Sequence, residues 1–157
     1  MASDSDLRKA ASSGDLAGVQ KALLDGASLE ARSKDEKLSA LMTAAMLGRL
    51  NVVEYLVSKG ADIESRDSAN YTPLMQAAFR GHLDVARFLV EKSANVNAKS
   101  QAGWTPLMSA ASEGHADVVK YLLSHGGNAL SKNAEGHTAA VIATSNGYPE
   151  ITKLMRK

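Results

Sequence analysis

The sequence predicts an all-α solenoid, in which helix-turn-helix units stack in a row and β-turn or hairpin loops project between them. Two observations lead to this fold class. A pattern of residues returns every 33 positions along the 157-residue chain, and within each copy the apolar residues have the spacing of two amphipathic helices. A period of this length is typical of repeat proteins, whose units share one continuous core. We therefore expect one domain.

Threonine and glycine mark the period most clearly. Thr72, Thr105 and Thr138 are 33 residues apart, and residues 71–78 align with residues 104–111. The glycines with the same spacing are Gly48, Gly81, Gly114 and Gly147. We divide residues 1–157 into five units, which are an N-terminal cap (1–33), three central units (34–66, 67–99 and 100–132) and a C-terminal cap (133–157).

The third unit shows why each copy should form two helices. Thr72 can cap the first helix with its hydroxyl, Pro73 suits the first helical position, and Gly81 ends the helix. Each helix then has one apolar stripe that faces the core. The stripes consist of Leu74, Ala77 and Ala78 in the first helix and of Leu83, Ala86, Leu89 and Val90 in the second.

Short segments with glycine or small residues follow each second helix and predict helix ends that lead into turns. They are Gly26-Ala-Ser-Leu, Gly60-Ala-Asp-Ile, Ser93-Ala-Asn-Val and Gly127-Asn-Ala-Leu. Ser93 stands where the other segments have glycine. A left-handed backbone at that serine would cost roughly 1 to 2 kcal/mol.

Together these motifs resemble the ankyrin-repeat family, whose 33-residue unit carries Thr-Pro-Leu-His-x-Ala-Ala, a glycine between its helices and Gly-Ala-Asp before a projecting hairpin. The resemblance covers nearly the whole chain. It implies a protein–protein interaction module, with an adaptor, scaffold or masking role and without catalysis. An alternative is an inhibitor that occludes a partner enzyme such as a protein kinase. Small ankyrin-repeat inhibitors of cyclin-dependent kinases have a shortened first helix in their second repeat, whereas the unit 34–66 keeps 33 residues.

One departure from the family pattern concerns the histidine after Thr-Pro-Leu. Methionine replaces it at Met42, Met75 and Met108, so the side-chain hydrogen bond of that histidine is lost. Because methionine is flexible and apolar, we expect these side chains to fill the interior. An adaptable contact strip on the surface is the alternative.

Composition argues against several partners and compartments. Eighteen basic and seventeen acidic residues leave a formal charge of +1, which favours neither nucleic acid nor an anionic membrane. The sequence has no cysteine, no apolar run near the roughly 18 residues of a membrane span, and no signal-like start. We expect a monomer in the cytoplasm or nucleus that binds a protein or peptide.

Residues that resemble catalytic or metal-binding groups have simpler explanations. His82 and His115 occupy the same place in successive units, so they should stand roughly 10 Å apart, too far for one metal ion. Ser112, Glu113 and His115 include triad residue types, but adjacency in sequence does not make a triad. An enzyme would need a pocket between units lined by His82, Glu113 or His115. We predict no catalytic residue, no cofactor and no metal.

The resemblance also implies where a partner binds. In the family, the residue before each Thr-Pro and the two residues before each inter-helix glycine line a concave face. We use the name concave face for the equivalent positions here, which are Leu38, Met46, Leu47, Tyr71, Phe79, Arg80, Trp104, Ser112, Glu113, His137, Ser145 and Asn146. Exposed aromatic residues and arginine are typical binding anchors, and Arg80 opposite Glu113 would add polar selection. Alternatively, the rings of Tyr71 and Trp104 only shield the neighbouring turns.

Overall fold

A computed structural model of the chain describes residues 2–156. Within that range the chain forms five successive pairs of α-helices and no β-strand, which confirms the predicted all-α repeat solenoid. The helices are α1 (Ala2–Ser13), α2 (Leu16–Leu24), α3 (Ala40–Met46), α4 (Leu50–Ser58), α5 (Pro73–Arg80), α6 (Leu83–Glu91), α7 (Pro106–Ser112), α8 (Ala116–Ser124), α9 (Ala139–Ser145) and α10 (Pro149–Leu154). Across residues 2–156, every helix is too short or too polar to cross a bilayer.

Side-chain caps fix where the first helix of each later unit begins. The hydroxyl of Thr72 accepts a hydrogen bond from the backbone N–H of Met75, with Pro73 at the start of α5. Gly81 ends that helix in the left-handed conformation, with φ of 76°. The same cap recurs at Ser39, Thr105 and Thr138. These contacts satisfy N–H groups that have no partner inside the helix.

The core runs through all five units without a break. The first helices pack on one another in chain order, and each also packs on the second helix of its own unit. Alanine pairs such as Ala77 and Ala78 are fully buried where these helices meet, because a small side chain lets two backbones come close. Met42, Met75 and Met108 are buried as well, so the packing interpretation of the methionines is correct.

The projecting turns are joined to one another by single backbone hydrogen bonds. The N–H of Ser68 donates to the carbonyl oxygen of Glu36 in the preceding turn at 2.9 Å. Gln101 donates in the same way to Ala69 at 3.0 Å, and Ala134 donates to Ala102 at 2.9 Å. The turns therefore form a row beside the helices.

Two details of the register differ from the sequence-based alignment. After the second helices the left-handed position falls at Gly26, Gly60, Ser93 and Gly126, so the prediction that placed Gly127 in this series was wrong by one residue. The N–H of Gly127 donates to Leu122, as Ala94 donates to Leu89 one unit earlier. A Gly-Gly pair offers two alignments, and the 33-residue spacing from Gly60 and Ser93 points to Gly126, the one that the structure shows.

The turn before α3 is longer than its counterparts. It closes from the N–H of Ser33 to the carbonyl oxygen of Leu38, whereas the next turn closes from Asp67 to Tyr71. Lys37 is left-handed, with φ of 59°, as are the equivalent residues Asn70, Gly103 and Gly136 of the other turns, so this feature does not come from the additional residue. The sequence analysis placed the start of this unit at residue 34, one position after the turn begins.

Candidate partner-binding surface

A cleft of about 400 Å³ between the second and third units brings together residues predicted for the concave face. Met46 comes from the end of α3, Tyr71 from the turn before α5, and Phe79 and Arg80 from the end of α5. The sequence separates these residues by as many as 34 positions. Stacking of the two units makes them neighbours around one opening.

The aromatic side chains around this region differ in exposure. Phe79 is 37% exposed, although phenylalanine is normally buried in folded proteins. Tyr71 and Trp104 are half-buried, and the Trp104 ring packs against the edge of the core. Shielding is therefore part of the role of Trp104, while Phe79 offers apolar surface to solvent.

Turn hydrogen bonds hold the backbones of the two half-buried rings. The N–H of Tyr71 donates to the carboxylate of Asp67 at 2.9 Å, and Asp67 also accepts from the side-chain amide of Gln76 at 2.8 Å. The N–H of Trp104 donates to the hydroxyl of Ser100 at 3.1 Å. The turn chemistry thus fixes where each ring emerges.

The electrostatic environment of Tyr71 is set by burial and by one carboxylate. Partial burial raises the pKa of the Tyr71 phenol above its ordinary value, and the negative charge of Asp67 raises it further. Both effects disfavour ionisation of the Tyr71 phenol, which would add a second negative charge near Asp67. Asp67 therefore contributes a negative charge on the turn side of the cleft.

Ser112 does not belong to the exposed surface and is a correction to the sequence-based set. Its side chain is only 5% exposed, and its hydroxyl donates to the carbonyl oxygen of Ser109 at 2.9 Å. A serine in the last turn of a helix often bonds back to the preceding turn in this way. Phe79, the equivalent residue one unit earlier, has no hydroxyl to make such a bond, and its side chain is exposed.

The other predicted surface residues lie where they can contact a partner. Glu113, His137, Ser145 and Asn146 are exposed, and Leu38 and Leu47 are half-buried. Arg80 and Glu113 do not form an ion pair, because among residues 2–156 the single ion pair joins Lys21 to Asp25. Both charges therefore face solvent without neutralising each other.

A second group of aromatic residues, not predicted from the sequence, lies on the second helices of the units, which we call the outer helices. Tyr55, Phe88 and Tyr121 follow the same 33-residue spacing and are half-buried, and Tyr55 and Phe88 pack against the core. Lys59 lies 5.4 Å from the centre of the Tyr55 ring, and Lys92 lies 5.7 Å from that of Phe88. The 33-residue period is the sequence signal that identifies this row of three aromatic residues. Aromatic residues are therefore not concentrated on the concave face alone.

The histidines connect neighbouring units. The Nε2 atom of His82 lies 3.0 Å from the carbonyl oxygen of Met46, and that of His115 lies 2.9 Å from the carbonyl oxygen of Phe79. Each contact reaches the end of the preceding first helix. Within residues 2–156, metal-ligating side chains do not assemble in groups of three or more.

Comparison with known proteins identifies the family. The family model described as ankyrin repeats in three copies matches residues 7–100 and residues 93–157. The chain belongs to the ankyrin-repeat family. A search of curated proteins finds no significant match to this ankyrin-repeat chain. Ankyrin repeats generally mediate protein–protein interactions and are typically non-catalytic.

Proposed function

We propose that this ankyrin-repeat protein binds a partner protein or peptide on its concave face and acts by presenting that surface, without catalysis. The cleft that collects Met46, Tyr71, Phe79 and Arg80 from two units is the observation that carries the proposal. The contact residues that we propose are Leu38, Met46, Leu47, Tyr71, Phe79, Arg80, Trp104, Glu113 and His137.

The residue types in the cleft support a binding role. Aromatic residues and arginine dominate the energetics of protein interfaces, and truncation of an anchor typically costs 2 kcal/mol or more. Phe79 is exposed on the last turn of a helix whose start is capped by Thr72. A partner therefore meets a rigid surface, and little conformational entropy is lost when it binds.

The two phenylalanines of the chain provide a matched experiment. Phe79 lies on the proposed contact surface, whereas Phe88 lies on an outer helix. We expect Phe79→Ala and Trp104→Ala to remove partner proteins that wild type captures from cell lysate, as measured by quantitative mass spectrometry. Phe88→Ala should retain them, with circular dichroism to verify that every variant is folded.

Two results would contradict the proposal. Partners retained equally by Phe79→Ala and wild type would place the contact surface elsewhere. Partners lost equally from Phe79→Ala and Phe88→Ala would point to general destabilisation of the solenoid.

Inhibition of a partner kinase is a narrower form of the same proposal. The shortened first helix in the second repeat, which small ankyrin-repeat inhibitors of cyclin-dependent kinases have, is missing here. The helix α3 in the second unit has seven residues, as α7 and α9 do, and α5 has eight, so α3 is at most one residue shorter than any counterpart. We therefore propose binding alone. A kinase assay with the purified chain at high concentration tests the narrower form.

A further inference from the structure

We infer that the cleft between the second and third units recognises a cationic side chain, arginine or lysine, in an extended segment of the partner. The inference rests on the proposed function and names the partner chemistry for one part of the concave face. Its occupant would place the charged group beside Glu36 and Asp67 and its aliphatic stem against Phe79. The cleft volume of about 400 Å³ lies in the range of pockets that enclose small ligands.

Two carboxylates on the turn side of the cleft have no cationic partner within the described chain. Glu36 and Asp67 both line the cleft, and neither forms an ion pair with another residue of the range 2–156. The hydrogen bonds that Asp67 accepts come from two backbone N–H groups and from the amide of Gln76, all of them neutral donors. The negative charges are therefore available to a cation from outside.

The apolar lining suits the remainder of a long cationic side chain. Met46, Tyr71 and Phe79 form it, and arginine and lysine bury their aliphatic stems on such surfaces while the charged group stays at the rim. Aromatic ring faces also attract cations. The charge of Asp67 also contributes, after burial, to the raised pKa of Tyr71.

Arg80 lines the same cleft but belongs to a different part of it. It is the last residue of α5, where the helix dipole favours a positive charge, whereas Glu36 and Asp67 lie in the turns. A cation from the partner is therefore attracted to the turn side and repelled from the helix side. This polarity fixes the direction in which the side chain enters.

Comparison with the other units shows that this combination does not recur. The residues equivalent to Glu36 and Asp67 are Ala69 and Ser100 at the next junction, and Ala102 and Asn133 at the one after it. Neither pair carries a charge. The junction between the second and third units is therefore the one where the turns of adjacent units combine two carboxylates.

The chain provides conservative variants for a test. The Glu36 side chain makes no hydrogen bond with residues 2–156, so Glu36→Gln removes a charge without disturbing the turn. Asp67→Asn is also tolerable, because Asn133 accepts the equivalent turn hydrogen bonds from Glu135 and His137. Glu135 occupies the register of Glu36 in the last unit, so Glu135→Gln is a control with the same change of charge.

The experiment selects twelve-residue peptides from a random display library on the full-length chain. We expect arginine or lysine to be enriched among the peptides whose binding requires Phe79. A selected peptide is then synthesised with its enriched residue unchanged and with a neutral replacement, citrulline for arginine or norleucine for lysine. Glu36→Gln and Asp67→Asn should each weaken binding of the cationic peptide about threefold to tenfold and leave the neutral analogue unaffected. Glu135→Gln should leave both affinities unchanged.

Each failure identifies which proposal is wrong. Peptides that require Phe79 but show no cationic enrichment, or bind Glu36→Gln as well as wild type, would overturn the cationic site and leave the proposed function standing. Peptides that bind Phe79→Ala and Trp104→Ala undiminished would overturn the concave face as the binding surface. A selection that yields no binding peptide would count against both.

Discussion

The Nε2 atom of His115 lies 2.9 Å from the backbone carbonyl oxygen of Phe79, in the last turn of the first helix one unit earlier. A carbonyl oxygen only accepts hydrogen bonds, so the hydrogen must be on Nε2. Arg49 makes the equivalent contact to the carbonyl oxygen of Ser12 at 3.0 Å. The N-cap residues of the second helices thus satisfy carbonyl groups near the end of the first helix one unit earlier, which have no partner inside that helix. Units are joined by this contact as well as by the apolar core.

The inter-helix glycines make room for these contacts, which predicts unequal effects of one substitution at two equivalent sites. A methyl group at Gly81 would come within 2.5 Å of the His115 ring, whereas one at Gly147 would meet nothing within 4 Å. Both glycines have positive φ, of 76° and 85°. We expect Gly147→Ala to lower the free energy of unfolding by about 1 kcal/mol through backbone strain alone, and Gly81→Ala to lower it clearly more. Urea unfolding of the two variants measures the difference.

The excess loss at Gly81 has a specific control. The double variant Gly81→Ala, His115→Ala lacks the ring that the methyl group would meet. His115→Ala should therefore lower the free energy of unfolding less in the Gly81→Ala background than in wild type. Losses of unfolding free energy that simply add in the double variant would show that the His115 ring does not need the space beside Gly81. Equal losses for Gly81→Ala and Gly147→Ala would show the same.

Ser93 is the one non-glycine residue among the left-handed positions that follow the second helices, with φ of 74°. Ser93→Gly removes that strain, although it also gives the unfolded chain more freedom. We expect a net rise of about 1 kcal/mol in the free energy of unfolding, measured in urea. Gly60→Ser, at the equivalent open position with φ of 94°, should give a loss of similar size. Both substitutions acting in the same direction would refute the strain argument.

The raised pKa of Tyr71 predicts a loss of stability at alkaline pH. Burial is its main cause and the charge of Asp67 the second, so folding favours the neutral phenol. The stabilisation is complete below the ordinary tyrosine pKa of about 10 and disappears as the pH rises through the raised pKa of the folded chain. We expect Tyr71→Phe to reduce the decline in the free energy of unfolding above about pH 10.

The Asp67→Asn variant separates the two causes of the raised pKa of Tyr71, which are burial and the charge of Asp67. Without the carboxylate, the pKa of Tyr71 should fall but stay above the ordinary value, because burial remains. The ¹³Cζ resonance of each tyrosine follows its ionisation by NMR. Tyr121, whose pKa is raised by its own burial and by Glu91, serves as the internal control and should not respond. An unchanged Tyr71 titration in Asp67→Asn would contradict the assigned charge effect.

The sequence predicted the elements that depend on local chemistry and period. The caps at Thr72 and Thr105 and the buried alanine pairs follow from residue type at a fixed spacing, and the structure confirms them. The exposure of a single side chain could not be predicted in this way when it depends on a hydrogen bond that only one of the units makes. Ser112 has the register of Phe79 but bonds back to its own helix, and only the coordinates reveal that difference.

Charges that converge across a junction were also missed. Glu36 and Asp67 are 31 residues apart and lie in turns, where polar residues are ordinary, so neither stood out in the sequence. Glu36 is in the 33-residue register of Ala69, but the period does not show which side chains of adjacent turns meet at a cleft. Stacking of two units is what places both carboxylates beside one cleft.

Arg66 connects the turn that carries Tyr71 to the next unit, which predicts a local effect of its removal. Its guanidinium donates to the carbonyl oxygen of Asn70 at 3.0 Å and to that of Lys99 at 2.7 Å. Stability in a repeat protein is largely a sum of unit and interface contributions, so losing these bonds weakens one junction. We expect Arg66→Ala to lower the free energy of unfolding by about 1 to 2 kcal/mol.

Hydrogen exchange locates that effect. The N–H of Gln101, which donates to Ala69 in the preceding turn, should exchange faster in Arg66→Ala because the two turns are no longer held together by the guanidinium. The N–H of Ala134, which makes the equivalent bond at the next junction, should keep its wild-type protection. Arg87→Ala is the matched control, since that guanidinium lies over the Tyr121 ring on the outer helices, 5.6 Å from its centre, and so should not alter Gln101. Equal acceleration at both amides would mean that Arg66 stabilises the whole solenoid and not this junction.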